Sequence, residues 1–398
     1  MENREYIKTG SQVYWRTLFI IFLGSMAAFG AEYCVQPIIP VIASSFGLNA
    51  VQGSLAVSLG LVGMLIAGLA PRFDRKLATA VGLIGAAILT IMIGFSGSFE
   101  AILGMRLIQG LLLAAFPSLI IAYINEEFEP FNVGTVIGIY ISGTTVGGLF
   151  GRLVVSAITD FVSWRMGLIV IGILYLAVGI AFFMLLPKPK YQRQRQSGGL
   201  QLIKTFHTAL ANKKLLWIYL VAFLIMGSFV AVFNFISYVL LAPPYSLSQT
   251  VVGLLFVVYL FGTFSSTYMG RLSDQHGNGR VLILGLLIML TGGLLTLLQP
   301  LVFKFIGLAI FTFGMLGSHS VACGWVGKLN QGDKAQSSSM YMFFYYAGAS
   351  SLGTLGGVFL ESYGWSGVIG MVAAAVIICL LVVVRLELAV SQHLLWHH

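Results

Sequence analysis

Residues 215–241 read Leu-Leu-Trp-Ile-Tyr-Leu-Val-Ala-Phe-Leu-Ile-Met-Gly-Ser-Phe-Val-Ala-Val-Phe-Asn-Phe-Ile-Ser-Tyr-Val-Leu-Leu, without one charged side chain. About 20 helical residues cross the hydrocarbon core of a bilayer, so this run is long enough. It is continuously apolar rather than alternating, which favours a membrane helix over a barrel strand. Comparable runs lie outward from it at 15–40, 51–70, 78–96, 99–122, 134–157, 165–186, 249–270, 281–298, 302–327, 338–361 and 367–386, giving twelve in all. The expected fold is an all-α integral membrane protein, with twelve transmembrane helices in two six-helix, pseudo-symmetric bundles.

The composition agrees. Hydrophobic types make up 58% of the 398 residues and charged types 9%, where a soluble chain carries about 25% charged residues. Mean hydropathy is +0.94. A soluble enzyme cannot hide that much apolar surface, and a disordered chain needs the opposite balance. The 47 glycines suit helices that approach closely in lipid. Cys34, Cys323 and Cys379 all sit in apolar runs, so neither a disulfide framework nor a metal site is expected. Met1 to Arg16 lacks the pattern of a signal peptide.

The longest polar stretch, 187–214, holds seven basic and no acidic residues. It reads as a cytoplasmic linker with a short amphipathic helix near Leu200–Leu210. The expected organisation is a cytoplasmic N-terminus (1–14), a first bundle (15–186), this linker (187–214), a second bundle (215–386) and a cytoplasmic tail (387–398). With both termini inside, the inner segments carry eighteen Lys and Arg and the outer ones two, Arg165 and Lys304. That asymmetry orients the chain and accounts for the formal charge of +9 without a nucleic-acid partner. No GxxxxGK[ST], HExxH or Gly-x-Ser-x-Gly occurs, so neither ATP-driven transport nor an enzyme is expected, and no cofactor.

The halves echo one another. Gly270-Arg-Leu-Ser-Asp274-Gln-His-Gly277-Asn-Gly-Arg280 follows the eighth run and Ala67-Gly-Leu-Ala-Pro-Arg-Phe-Asp-Arg-Lys76 the second. Gly143, Gly147 and Gly151 recur as Gly348, Gly353 and Gly356. Paired repeats point to a transporter whose site lies near the membrane midplane.

Over nearly its whole length the chain resembles the major facilitator superfamily. The resemblance rests on the loop motif at 270–280, on Arg106-Leu-Ile-Gln-Gly110, and on Gly138-x8-Gly147-x3-Gly151. The first loop departs, with Pro71 where the Asp stands and Asp74 where the Gly stands, and Arg152 replaces the Pro of the glycine motif. Tyr33-Cys-Val-Gln-Pro37, Thr159-Asp-Phe-Val-Ser-Trp-Arg165 and Gly353-Thr-Leu-Gly-Gly-Val-Phe359 resemble the YnfM branch of bacterial exporters; Glu32 departs from the apolar residue expected there. The resemblance implies proton-coupled export from the cell membrane by alternating access, with Arg106 in proton coupling and the glycines marking an antiporter.

Ionisable groups inside spans cost about 2.5–3.5 kcal/mol on insertion scales and are functional candidates. At 1.5 Å per residue, Glu32, Arg106 and Arg152 fall in one band about 7 Å deep, in the outer half of the first bundle. Glu32 and Arg106 are assigned to proton coupling, and with Arg152 to substrate binding. The alternative is a structural ion pair. Asn234 and Tyr238, four apart on one helix face, with His319 and Tyr345 form a polar and aromatic substrate wall, the alternative being helix packing. Asp274 with Arg271 and Arg280 forms a conformational latch, and Gly138, Gly147 and Gly151 allow close helix packing between the halves.

Two Arg and one Glu suit a small amphipathic, anionic or zwitterionic cargo, a drug or a metabolite, including a metal-chelating metabolite. The alternative is a proton-coupled importer of a small nutrient such as a sugar or organic acid. The expected partners are this cargo, protons and membrane lipid, for a monomeric protein.

Overall fold

The computed structural model describes residues 6–67, 75–190, 212–329 and 334–395. The first loop motif through Asp74 and the linker helix near Leu200–Leu210 lie outside these residues. The described chain is helical throughout apart from turns and one isolated bridge, Ile7 to Phe128. In the first half the helices are α1 (Gln12–Tyr33), α2 (Ile39–Ser45), α3 (Ala50–Ala67), α4 (Arg75–Phe95), α5 (Phe99–Leu113), α6 (Phe116–Glu127), α7 (Val133–Phe161) and α8 (Trp164–Leu185). In the second they are α9 (Lys213–Leu241), α10 (Gln249–Leu254), α11 (Tyr259–His276), α12 (Asn278–Leu295), α13 (Leu301–Leu329) and α14 (Lys334–Leu395).

Ten helical stretches of the described residues are long and apolar enough to cross a membrane, and Ala50–Ile66 is a shorter apolar helix. One of the ten, Ser337–Leu388, contains the break at Gly364, where φ is 62°, so the expected runs 338–361 and 367–386 are two arms of α14. α14 is helical as far as Leu395, into the segment expected as a tail. The run 99–122 is likewise two helices, with Pro117 in the first turn of α6, where its missing N–H costs nothing. Four helix starts are capped by a hydroxyl or an amide, which satisfies an unpaired first-turn N–H. Ser11 accepts from Tyr14, Ser98 from Ala101, Ser163 from Met166 and Asn212 from Lys214.

The chain forms two compact units that exchange short segments across the expected boundaries. Unit 1 is Met1–Gly47, Leu59–Ser197 and Ser248–Leu254; unit 2 is Leu48–Ser58, Gly198–Leu247 and Leu255–His398. The exchanged segments are held by carboxylates. In unit 1, Asp160 at the end of α7 accepts from the N–H of Gln249 and Thr250 at 3.3 Å and from the Thr250 hydroxyl at 2.7 Å. In unit 2, Glu361 accepts from the N–H of Val51 at 3.2 Å, and the Ser58 and Thr354 hydroxyls meet at 2.6 Å.

Within unit 1, α7 lies against α1 along a stripe of glycines. A Cβ on Gly143, Gly147 or Gly151 would collide with the carbonyl oxygen of Phe22, Met26 or Gly30 respectively. The four-residue spacing is the same on both helices, so each glycine meets one turn of α1. In unit 2 the first arm of α14 treats α9 alike, Gly348 facing the carbonyl of Phe223 and Gly356 facing Ala231 and Phe235. The repeated glycines therefore pack helices inside each unit, where packing between the halves was expected. Gly138 has nothing within 4 Å.

Gly147→Ala is expected to lower thermal stability by roughly 1–3 kcal/mol, as overpacking does, and Gly138→Ala to leave it unchanged. Melting of the purified protein in detergent checks both. Equal melting temperatures for the two variants would mean that α7 does not depend on close approach to α1.

Candidate functional site

Two charged candidates of unit 1, Glu32 and Arg106, meet where α1, α4 and α5 pack. Glu32 is in the last turn of α1 and Arg106 in the middle of α5, and both are buried, at 1% and 0% exposure. Arg106 Nη2 lies 3.4 Å from Glu32 Oε1. That is the longest of its described contacts. Nη2 also donates to the backbone oxygen of Glu32, while Nη1 donates to the backbone oxygen of Ala31 at 3.2 Å and to Gln109 Oε1. Gln109 is held in turn by Thr90 Oγ1 at 2.7 Å and the Ala86 carbonyl at 3.0 Å, both on α4. The guanidinium thus rests on three neutral acceptors as well as on the carboxylate. Glu32 Oε2 is buried and makes no hydrogen bond.

Arg152 is a separate centre in the same unit. Its Nε and Nη2 both donate to Gln36 Oε1, at 3.0 and 2.6 Å, and Nη1 donates to the carbonyl of Gly148 one turn back. Its guanidinium lies 4.7 Å from the centre of the Tyr33 ring, a cation–π contact. It is buried, at 2% exposure. Cys34 lies in the field of Glu32, Arg106 and Arg152 together.

In unit 2, His319, Tyr341 and Tyr345 form one group. His319 Nδ1 is 2.9 Å from the Tyr341 hydroxyl, and the His319 and Tyr345 rings are 4.5 Å apart. Asn234 and Tyr238 point to different partners. Asn234 donates to the carbonyl of Gly353 at 3.4 Å, while Tyr238 packs at the cluster of Ala50, Phe235 and Val368 and its hydroxyl has no hydrogen bond.

The expected latch is paired differently. Asp274 Oδ1 meets Lys328 Nζ at 3.3 Å, Lys328 also reaching Asn278 Oδ1 at 3.0 Å, and Arg280 meets Glu387 at 3.9 Å. Arg271 makes no hydrogen bond or ion pair among the described residues. The reason is that α11 ends beside the end of α13, while Arg280, on α12, faces α14. Both pairs are solvent-exposed on at least one side, so each contributes under about 1 kcal/mol.

Sequence reasoning did not single out Gln36, Thr90 or Gly60 as site residues, nor Thr9. Gln36, an amide inside an apolar run, carried a readable signal; Thr90 and Gly60 carried none. Thr9 donates through its N–H and hydroxyl to Glu129, at 2.9 and 2.6 Å, and these bonds hold that carboxyl below its usual range.

The Major Facilitator Superfamily model matches residues 21–245 and 218–393. The MFS-type transporter YybF of Bacillus subtilis is 38% identical over 382 residues, covering 94% of each chain. The inner membrane transport protein YnfM of Escherichia coli is 38% identical over 391 residues, covering 97% of this chain and 94% of its own. A mutant of the nucleoside transporter NupG superposes with a TM-score of 0.77 at 16% identity, over 93% of this chain and 99% of its own.

Glu32→Gln is expected to melt within a few degrees of the native protein, since Arg106 keeps its neutral acceptors. Arg106→Ala leaves a buried carboxylate without its counter-charge and is expected to lose about 3–5 kcal/mol. A large loss in Glu32→Gln would mean that the carboxylate, and not the neutral acceptors, carries Arg106.

Proposed function

We propose that the chain, which belongs to the major facilitator superfamily and is a multi-pass membrane secondary transporter, exports a small amphipathic, zwitterionic compound in exchange for protons. The observation that carries this reading is Glu32 Oε2, a buried carboxyl oxygen without a hydrogen bond beside a guanidinium that is satisfied without it. A proton can arrive or leave there without stranding Arg106. In a carboxyl group whose partner depended on it, each protonation would break a buried ion pair.

Exchange requires the proton and the cargo to compete for one atom. An ammonium or other donor on the cargo can take Oε2 only when the proton has gone. An anion alone would bind best to the protonated site and would travel with the proton. This favours a zwitterion, with its donor end at Glu32 and its acidic end towards Arg152. The antiporter-like glycines agree with export. The distribution of Lys and Arg supports cytoplasmic termini, the latch role falls to Asp274 with Lys328, and the working unit is the monomer.

The test uses inverted vesicles with an imposed acid-inside gradient and a fluorescent probe of that gradient. An aryl amino acid, its N-acetyl acid and its amide are added in turn. Gradient discharge by the zwitterion in native vesicles is expected, with Glu32→Gln vesicles at the level of vesicles lacking the protein. Discharge that survives Glu32→Gln, or cargo and protons moving in the same direction, would remove the exchange mechanism.

A further inference from the structure

Gly60 lies mid-way along α3, a helix with no ionisable residue between Ala50 and Ala67. A Cβ placed on it would strike Glu32 Oε1, and would stand 2.8 Å from Arg106 Nη2 and 3.2 Å from Arg106 Cζ. All three nearest atoms belong to the ion pair. Gly63, one turn further on the same helix, differs in kind. A Cβ there would meet the Leu107 carbonyl oxygen, the Leu111 nitrogen at 2.7 Å and the Gly110 carbonyl carbon at 2.9 Å, all backbone of α5. A methyl group at 63 is accommodated only by moving a helix. A methyl group at 60 is accommodated by moving the carboxylate and the guanidinium.

We infer that Gly60 is a positioning residue for Glu32: its bare Cα is the surface that keeps Oε1 on Arg106 and so leaves Oε2 as the oxygen open to exchange. The inference rests on the reading of Glu32 as the proton carrier. Glu32 has few places to go, since the backbone of its own helix is fixed by Arg106 at the Ala31 and Glu32 carbonyls. The ionisable groups around it are Arg106 from α5 and Cys34, the residue that follows α1; Cys34 lies in turn in the field of Arg152 from α7, and Tyr175 from α8 in the field of Cys34 and Arg152. Position 60 touches both members of the pair without carrying charge, so changing it perturbs geometry alone.

The test needs no cargo. The infrared carbonyl band of a protonated carboxylic acid is followed against pH in the purified full chain in lipid nanodiscs. The component that vanishes in Glu32→Gln belongs to Glu32. In Gly60→Ala that component is expected to shift its pH midpoint by on the order of one unit, the size of effect a nearby guanidinium has on a carboxyl group. A midpoint unchanged in Gly60→Ala overturns the role of Gly60 and leaves Glu32 as the carrier. No component lost in Glu32→Gln overturns the proton-carrier reading itself. If Gly60→Ala does not fold, the double variant Gly60→Ala/Glu32→Asp decides. The shorter side chain frees the volume of one methylene at the carboxylate, so restored folding supports the positioning role. Failure of the double variant to fold assigns Gly60 to the α3–α5 crossing alone and overturns the inference.

Discussion

A guanidinium at 0% exposure inside a helical membrane bundle is tolerable only where acceptors converge on it. Around Arg106 they converge from three helices. α1 supplies two backbone carbonyls as well as the Glu32 carboxylate, α5 supplies Gln109 from the next turn, and α4 supplies Thr90 and the Ala86 carbonyl behind Gln109. A carbonyl in the last turn of a helix is available because no later N–H claims it. α1 ends at Tyr33, ahead of Gln36-Pro37, and its final carbonyls are left for Arg106. The break in the first span and the buried cation are therefore one feature.

Glycine spacing answers a related constraint. Membrane helices associate without a hydrophobic driving force between them, so dispersion contact and close backbone approach carry the packing. Gly143, Gly147 and Gly151 bring α7 onto α1, and Gly151 is followed at once by Arg152. The close approach is what sets the Arg152 guanidinium against Tyr33 and Gln36 at the end of α1. One helix contact thus delivers the second cation to the segment that anchors the first.

The spans were legible because an unbroken apolar run of about 20 residues matches the thickness of the hydrocarbon core, and a water-facing helix cannot carry one. Counting 1.5 Å per residue put Glu32 and Arg106 in one band about 7 Å deep, and they lie 3.4 Å apart. The partner of Asp274 was not legible. Lys328 is 54 residues away at the end of another helix, and no local pattern says which helix ends lie side by side. Gly60 was hidden for a different reason. Among 47 glycines, nothing in the sequence distinguishes one facing a side-chain pair from one facing a backbone such as Gly63. The breaks at Pro37 and Pro117 were not read from the sequence, since an apolar run continues through a kink that the backbone does not.

The two units divide the polar work unequally although their glycines repeat. Unit 1 buries the guanidinium groups of Arg106 and Arg152 and the carboxyl groups of Glu32 and Glu127. Unit 2 buries one ammonium group, Lys304 on the Thr296 carbonyl, together with His319 beside Tyr341 and Tyr345 and Asn234 on a backbone carbonyl. Hydroxyl, amide and neutral imidazole groups exchange hydrogen bonds without the desolvation cost of a full charge. The pseudo-symmetry therefore extends to helix packing, which both units need equally, and stops at the carboxyl–guanidinium pair, which among the described residues is buried in unit 1.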